Sequence, residues 1–258
     1  MYPNLFGIEG SSMAIMMGIG AIVAVLVTFL FLRKHGLDTR NKIIDYFIVV
    51  LATIFMGILF AMLFENIYEA IKHSINGEPQ AWTWNKTFYG GLFGGVATFL
   101  LVYRFYYLRN NPPIIKEVLK IAPSAICFGH GIGRLGCFLN GCCYGLETES
   151  PLGMYFPGHD HKVFPTQLYE MVFLLILATI LLVLAFKEIT VYTMPIYLLS
   201  YGIFRFLIEF IRGDERGQLQ GLSPSQYWCI SLVIASIVLY IIYKKVIFPK
   251  EEEPANEI

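Results

Sequence analysis

Charge is scarce in this sequence, and what there is cancels: 15% of the 258 residues are charged, with 19 basic and 19 acidic. A zero formal balance excludes a chain-wide field that would gather nucleic acid or an acidic surface, so the basic residues matter through where they stand. The opening stretch MYPNLFGIEGSS has no basic residues, and no small-residue cleavage site stands out after the apolar run that follows it. That run, from about Met13, is expected to be a retained membrane helix. Cysteine is limited to Cys127, Cys137, Cys142, Cys143 and Cys229, an odd number in or beside apolar stretches, which excludes the disulfide framework of a small secreted domain. No tandem repeat or low-complexity domain is present, and the end 248–258, which closes with KEEEPANEI, reads as a short acidic cytoplasmic tail.

Apolar residues, by contrast, make up 56% of the chain and gather into runs of about 20, the length that crosses a hydrocarbon core. Spanning helices are expected at about 13–32, 43–64, 87–106, 168–186, 191–211 and 227–247. A seventh span, 118–145, carries six glycines, Pro123 and Arg134 and is expected to be broken or re-entrant, since irregular backbone at membrane depth is tolerated only against protein or water. The fold class is therefore an all-α integral membrane protein of about seven transmembrane helices, forming one polytopic domain over 1–258. Arg33, Lys34, Arg40 and Lys42, then Arg109, Lys116 and Lys120, then Lys187, and finally Lys244, Lys245 and Lys250 mark the cytoplasmic side. This puts the N-terminus outside, the C-terminus in the cytoplasm, and the loops 65–86 and 146–167 outside.

Within or at the edge of those spans stand Asp45, His130, Arg134, Glu170, Arg205 and Glu209, where a charge is a functional-site hypothesis by default. Asp45 and Glu170 fall near helix ends, where an interfacial cap or solvated end accounts for them as well as a functional site does. Arg205 and Glu209, four apart, share a helical face and can satisfy each other; Arg212 extends that face and leaves positive charge over, which suits an anionic ligand. His130 and Arg134 are also four apart, placing a proton acceptor beside a phosphate clamp, although a histidine on such a helix also serves as a packing residue. The glycines of FYGGLFGG, Phe88 to Gly95, suit either close helix approach or contact of backbone N–H groups with a head group. Cys137, Cys142 and Cys143 offer three thiolates, but adjacent cysteines do not easily reach one tetrahedral ion and no second ligand pair completes the site. No metal and no cofactor are expected.

The segment GRLGCFLNGCCYG, Gly133 to Gly145, resembles the signature of the prolipoprotein diacylglyceryl transferase family. FYGGLFGG is similar to that family's HGGL block, FPTQLYE (Phe164 to Glu170) to its PTQLYE block, and YGIFRFLIEFIRGDE (Tyr201 to Glu215) to its late RF-x-x-EF-x-R block. The resemblance implies a seven-helix bacterial plasma-membrane enzyme that moves a diacylglyceryl group from phosphatidylglycerol to the lipobox cysteine of an exported prolipoprotein. A thioether forms and glycerol phosphate leaves. By position, Arg134 and Arg205 hold the phosphate, Glu209 orients Arg205, and Gly145 closes the signature loop. Arg212, Asn140, Gly90, Gly91, Gln167 and Glu170 complete the implied substrate site.

The chain departs from the family's pattern where protons are handled. Tyr89 stands at the HGGL histidine, Cys137 at the asparagine and Cys142 at the glutamate, and Gly10, Ser11 and Ser12 occupy the place of an early tyrosine. His130 is the replacement base and Tyr89 a hydrogen-bond donor. A paralogue using the same anionic lipid with another acceptor, or a lipid-binding protein without catalysis, are the alternative readings.

Overall fold

The computed structural model describes residues 11–37, 39–76, 88–102, 113–213 and 221–247. The tail from 248 and the whole stretch 77–87 lie outside the described residues, as do the side chains of Asp45 and Tyr89. Helices α1 (Ser11–Lys34), α2 (Arg40–Asn76), α3 (Phe88–Val102) and α4 (Pro113–Asn140) come first. A small hairpin, β1 (Met154–Tyr155) with β2 (Lys162–Val163), then precedes α5 (Thr166–Phe186), α6 (Thr193–Ile208) and α7 (Pro224–Ile242). Five of the described helical segments are long and apolar enough to cross a membrane: Ser11–Lys34, Phe47–Ile71, Thr166–Phe186, Thr193–Ile211 and Ser225–Lys245. Their outward faces are apolar, as Val172, Ile176, Ile180 and Val183 show along α5 and Ile230, Ile234, Ile237 and Ile241 along α7. Such stripes at helical spacing would be a liability in water and are what lipid requires. The protein is an integral membrane protein with an all-helical membrane part.

Two compact units divide the chain, residues 33–115 and the combination of 1–32 with 116–258. In the first, α2 packs on α3 through small residues: a Cβ on Gly91 would meet the Ala61 Cβ and the Gly57 carbonyl at 3.4 Å. The glycines of FYGGLFGG thus serve close helix packing here, with Gly90 buried in the same helix. Helix α2 continues to Asn76, so the first part of the stretch expected as an outer loop is helical.

In the second unit α1, α4, α5, α6 and α7 surround the candidate site. Gly20 lets α1 approach α4 until an added Cβ would sit 2.8 Å from the Gly129 carbonyl. Phe31, Ile121 and Ala185 join α1, α4 and α5 in a buried cluster, with Phe31 edge-on to Phe186.

The segment expected to be broken is a continuous helix as far as Asn140, with Pro123 inside it. Proline removes the N–H that would bond the carbonyl four residues earlier. The buried Thr193 hydroxyl takes its place, donating to the Lys120 carbonyl at 2.8 Å and the Leu119 carbonyl at 3.4 Å. Ser124 donates to the Ala178 carbonyl at 2.9 Å, tying α4 to α5 at the same level. Irregular backbone begins only after Asn140, where Gly141 and Cys143 adopt left-handed φ of 72° and 65°.

Candidate active site

The site is assembled around two buried carboxylates. Glu170, in the first turns of α5, is fully buried, so the solvated-end reading of this residue does not hold. Its partners come from two other helices: Arg134 of α4 reaches it at two points, Nη2 to Oε1 and Nε to Oε2, both 3.0 Å. The first contact is an aligned hydrogen bond, the second an ion pair without hydrogen-bond alignment. The Tyr201 hydroxyl of α6 donates to Oε1 at 2.9 Å, and His130 Nε2 lies 3.5 Å from the same oxygen. The imidazole also packs edge-on to the Tyr201 ring, with centroids 5.4 Å apart. A carboxylate at this depth is tolerable only with such partners.

The second carboxylate, Glu209, follows α6 in a short 3-10 turn, Glu209–Ile211. Arg205, one turn earlier, places Nη2 2.7 Å from Glu209 Oε2, and Arg212 Nε stands 3.9 Å from the same oxygen. The Ser223 hydroxyl donates to Glu209 Oε1 at 2.9 Å, and the Ser223 Oγ itself accepts from the Gln226 N–H and so caps α7. Arg205 is 8% exposed, and its Nη1 is buried without a hydrogen-bond partner among the described residues. Arg205 lies close enough to Glu170 and His130 to act electrostatically on both. Among the described residues, three guanidiniums thus face two carboxylates in one buried neighbourhood.

The turn after α4 closes over this cluster. Gly145 donates its N–H to the Phe164 carbonyl at 2.7 Å and pairs across a β-bridge with Arg212, while the Leu146 N–H donates to the Ile211 carbonyl at 2.9 Å. Thr166 donates its hydroxyl to the Cys143 carbonyl at 2.8 Å, and buried Gln167 donates Nε2 to the Cys142 carbonyl at 3.0 Å. The FPTQLYE and GCCYG stretches are thus pinned to each other. Asn140 ends α4 at the entrance to this turn, half-buried.

Arg134, Glu170, His130, Arg205, Glu209, Arg212, Gln167 and Gly145 all belong to this one unit, whereas Tyr89, Gly90 and Gly91 belong to the other. Tyr201, Ser223 and Thr166 were not singled out from the sequence. Tyr201 stands four residues before Arg205 on the same helix face, the spacing that would have found it.

Fold and site together define a helical membrane protein that keeps an arginine-rich, hydrogen-bonded cluster inside an apolar body, the character of an enzyme acting on an anionic lipid. The profile of the prolipoprotein diacylglyceryl transferase family matches residues 4–242, and the chain belongs to that family. It is 32% identical to the phosphatidylglycerol–prolipoprotein diacylglyceryl transferase of Clostridium tetani, over 92% of this chain and 94% of the relative. It is also 32% identical to the enzyme of that name numbered 2 from Clostridium perfringens, over 93% and 94% of the two chains. The Finegoldia magna enzyme of the same name is 29% identical over 97% and 98%.

Proposed function

We propose that this protein transfers the diacylglyceryl group of phosphatidylglycerol to the lipobox cysteine thiol of an exported prolipoprotein, releasing glycerol phosphate. Family membership and the names of its relatives support this over a paralogue with another acceptor. The observation that carries the donor half is the buried Arg205 Nη1, which has no hydrogen-bond partner among the described residues. A buried guanidinium N–H without a partner costs free energy, and a phosphate oxygen of the donor lipid supplies the missing acceptor.

In this reading Arg205, with Arg134 and Arg212 beside it, neutralises the charge that grows on the departing phosphate. Glu209 fixes the Arg205 fork, and Glu170 holds Arg134. His130 turns Nε2 toward Glu170, which leaves Nδ1 to take the proton of the acceptor thiol. Tyr89, Gly90, Gly91, Asn140 and Gln167 are assigned to substrate contact, Tyr89 as a hydrogen-bond donor. The protein sits in the bacterial plasma membrane as one domain of about seven spans, its N-terminus outside and its C-terminal tail cytoplasmic. The loops 65–86 and 146–167 face outward, where the prolipoprotein meets the outer leaflet.

Purified protein incubated with phosphatidylglycerol labelled in its acyl chains and a lipobox peptide tests the proposal. Label should appear on the peptide thiol, fall to background with Arg205→Ala, and drop steeply with His130→Gln. Absence of transfer by the wild-type chain with this donor and acceptor would refute it.

A further inference from the structure

Outside the carboxylate–arginine cluster, one group of chemically capable side chains has no role in the reading above. Cys137, Cys142 and Cys143 bring their sulfur atoms within 4.8 Å of one another, and all three thiols are free. Cys137, on α4, is buried; Cys142 and Cys143, in the turn, are half-buried. The objection that neighbouring cysteines point apart fails in the folded chain, because Cys143 takes a left-handed φ of 65° and folds the backbone back on itself. Its sulfur lies 3.7 Å from that of Cys142. A zinc ion with Zn–S bonds of about 2.3 Å in tetrahedral geometry sets its sulfurs about 3.8 Å apart. A disulfide would need a separation of about 2.05 Å and would leave the third thiol over.

The turn that holds these sulfurs is prebuilt. Cys142 donates its N–H to the Cys137 carbonyl at 3.1 Å, Gln167 holds the Cys142 carbonyl and Thr166 holds the Cys143 carbonyl. These three hydrogen bonds fix the turn before any ion arrives, which lowers the ordering cost of binding. Three thiolates around a dication carry one net negative charge, and Arg134, one helical turn before Cys137, and Arg212, bridged to Gly145 two residues after Cys143, bring two guanidiniums near the same turn.

We propose that Cys137, Cys142 and Cys143 form a trithiolate site for a thiophilic dication of the zinc class, whose open fourth position takes the acceptor thiol as thiolate. The inference rests on the transferase reading and deepens it. Three protein ligands with one position left open is the arrangement of catalytic rather than structural zinc. Thiolate is the nucleophilic form, and a coordinating thiol is deprotonated outright by the cation. The step balances: the acceptor S–H loses its proton through water to His130 and the sulfur binds the ion. That sulfur then forms a C–S bond to the glyceryl carbon, whose C–O bond breaks with the electron pair leaving on glycerol phosphate.

The test uses the full-length chain, purified in detergent under reducing conditions, with cobalt(II) as spectroscopic probe in place of zinc. One equivalent should give intense thiolate-to-cobalt charge-transfer bands and the visible bands of a tetrahedral site. Those bands should shift and strengthen with a lipobox peptide but not with its Cys→Ser analogue. Each of Cys137→Ser, Cys142→Ser and Cys143→Ser should weaken cobalt binding by more than the about 10–100-fold that loss of an outer-shell partner costs. His130→Gln should bind cobalt as the wild type does. Stripping the wild-type protein with a chelator should abolish lipid transfer, and zinc should restore it, a comparison that needs no variant to fold.

Absence of thiolate–cobalt bands, bands indifferent to the peptide thiol, or full lipid transfer by stripped protein would each overturn the metal site while leaving the transferase reading intact. A cobalt spectrum that responds to the peptide, without any transfer from phosphatidylglycerol, would support the metal–thiol site and overturn the transferase reading instead.

Discussion

Arg134 and Glu170 meet at two points, Nη2–Oε1 and Nε–Oε2, both at 3.0 Å, with the carboxylate fully buried. Two helices that are 36 residues apart in sequence at these positions are thereby locked at the level of the candidate active site. The pair lets the arginine stay in an apolar body, and the same carboxylate accepts from the Tyr201 hydroxyl and lies 3.5 Å from His130 Nε2.

Removing one partner of this pair leaves the other charge buried alone. Arg134→Ala is therefore expected to destabilise the protein by about 3–5 kcal/mol. The double variant Arg134→Met with Glu170→Leu should recover most of that stability, since well-packed apolar residues often replace a buried pair at little cost, yet it should show no lipid transfer. Thermal unfolding in detergent and the labelled-lipid assay report the two properties separately. Recovery of activity in the double variant would remove Arg134 from the phosphate site.

Arg205→Lys keeps the charge and loses the fork. A lysine can still meet Glu209 but cannot present a second, separate donor to a phosphate, so transfer is expected to fall about 10²–10³-fold, the loss seen when one transition-state donor is removed. Unfolding temperature should change little, because the ion pair at the Glu209 position survives. A lysine variant with wild-type kcat would show that charge alone suffices.

Tyr201→Phe removes one hydrogen bond from a buried carboxylate that keeps its arginine. Hydrogen bonds to charged groups contribute about 1.5–3 kcal/mol, which sets the expected loss of stability. Because His130 packs against the same ring at 5.4 Å and phenylalanine preserves that contact, the transfer rate should suffer less than with His130→Gln. Equal loss of rate in the two variants would indicate that the tyrosine hydroxyl itself touches the reacting groups.

Much of the architecture was legible because lipid demands long apolar runs and a charge inside such a run stands out. Arg205 and Glu209 could be paired from their spacing because four residues make one helical turn, and the structure gives 2.7 Å for that pair. Glu170 was harder: its position near a helix start looks solvated in sequence, and only α4 and α6, brought in from elsewhere in the chain, seal it off. Local composition also misled over 118–145, where glycines and Pro123 suggested a broken helix. The remedy lay in Thr193, more than 70 residues away, whose hydroxyl reaches the Leu119 carbonyl that proline leaves unbonded at 3.4 Å and the neighbouring Lys120 carbonyl at 2.8 Å. The cysteine turn was likewise hidden, since the left-handed φ of Cys143 that folds the two sulfurs together has no signature in residue types alone.

Gly145 tests whether the turn must lie flat against its neighbours. A Cβ there would sit 2.2 Å from the Ile211 carbonyl oxygen, 2.8 Å from the Thr166 Cγ2 and 2.9 Å from the Phe164 Cβ. The nearest of these atoms is backbone, in the strand bridge that carries Arg212, so it cannot yield without moving that arginine. Gly145→Ala is expected to cost about 1–3 kcal/mol, as overpacking does, and to reduce lipid transfer through displacement of Arg212. Gly18 provides the contrast within the same chain: an added Cβ meets nothing within 4 Å, and the residue lies inside α1. Gly18→Ala should therefore leave transfer unchanged and raise stability by up to about 1 kcal/mol, the helix-propensity difference between the two residues. Unfolding temperatures and transfer rates of the two variants, measured side by side, decide the matter. A Gly145→Ala protein as active and as stable as Gly18→Ala would mean that the turn does not position Arg212.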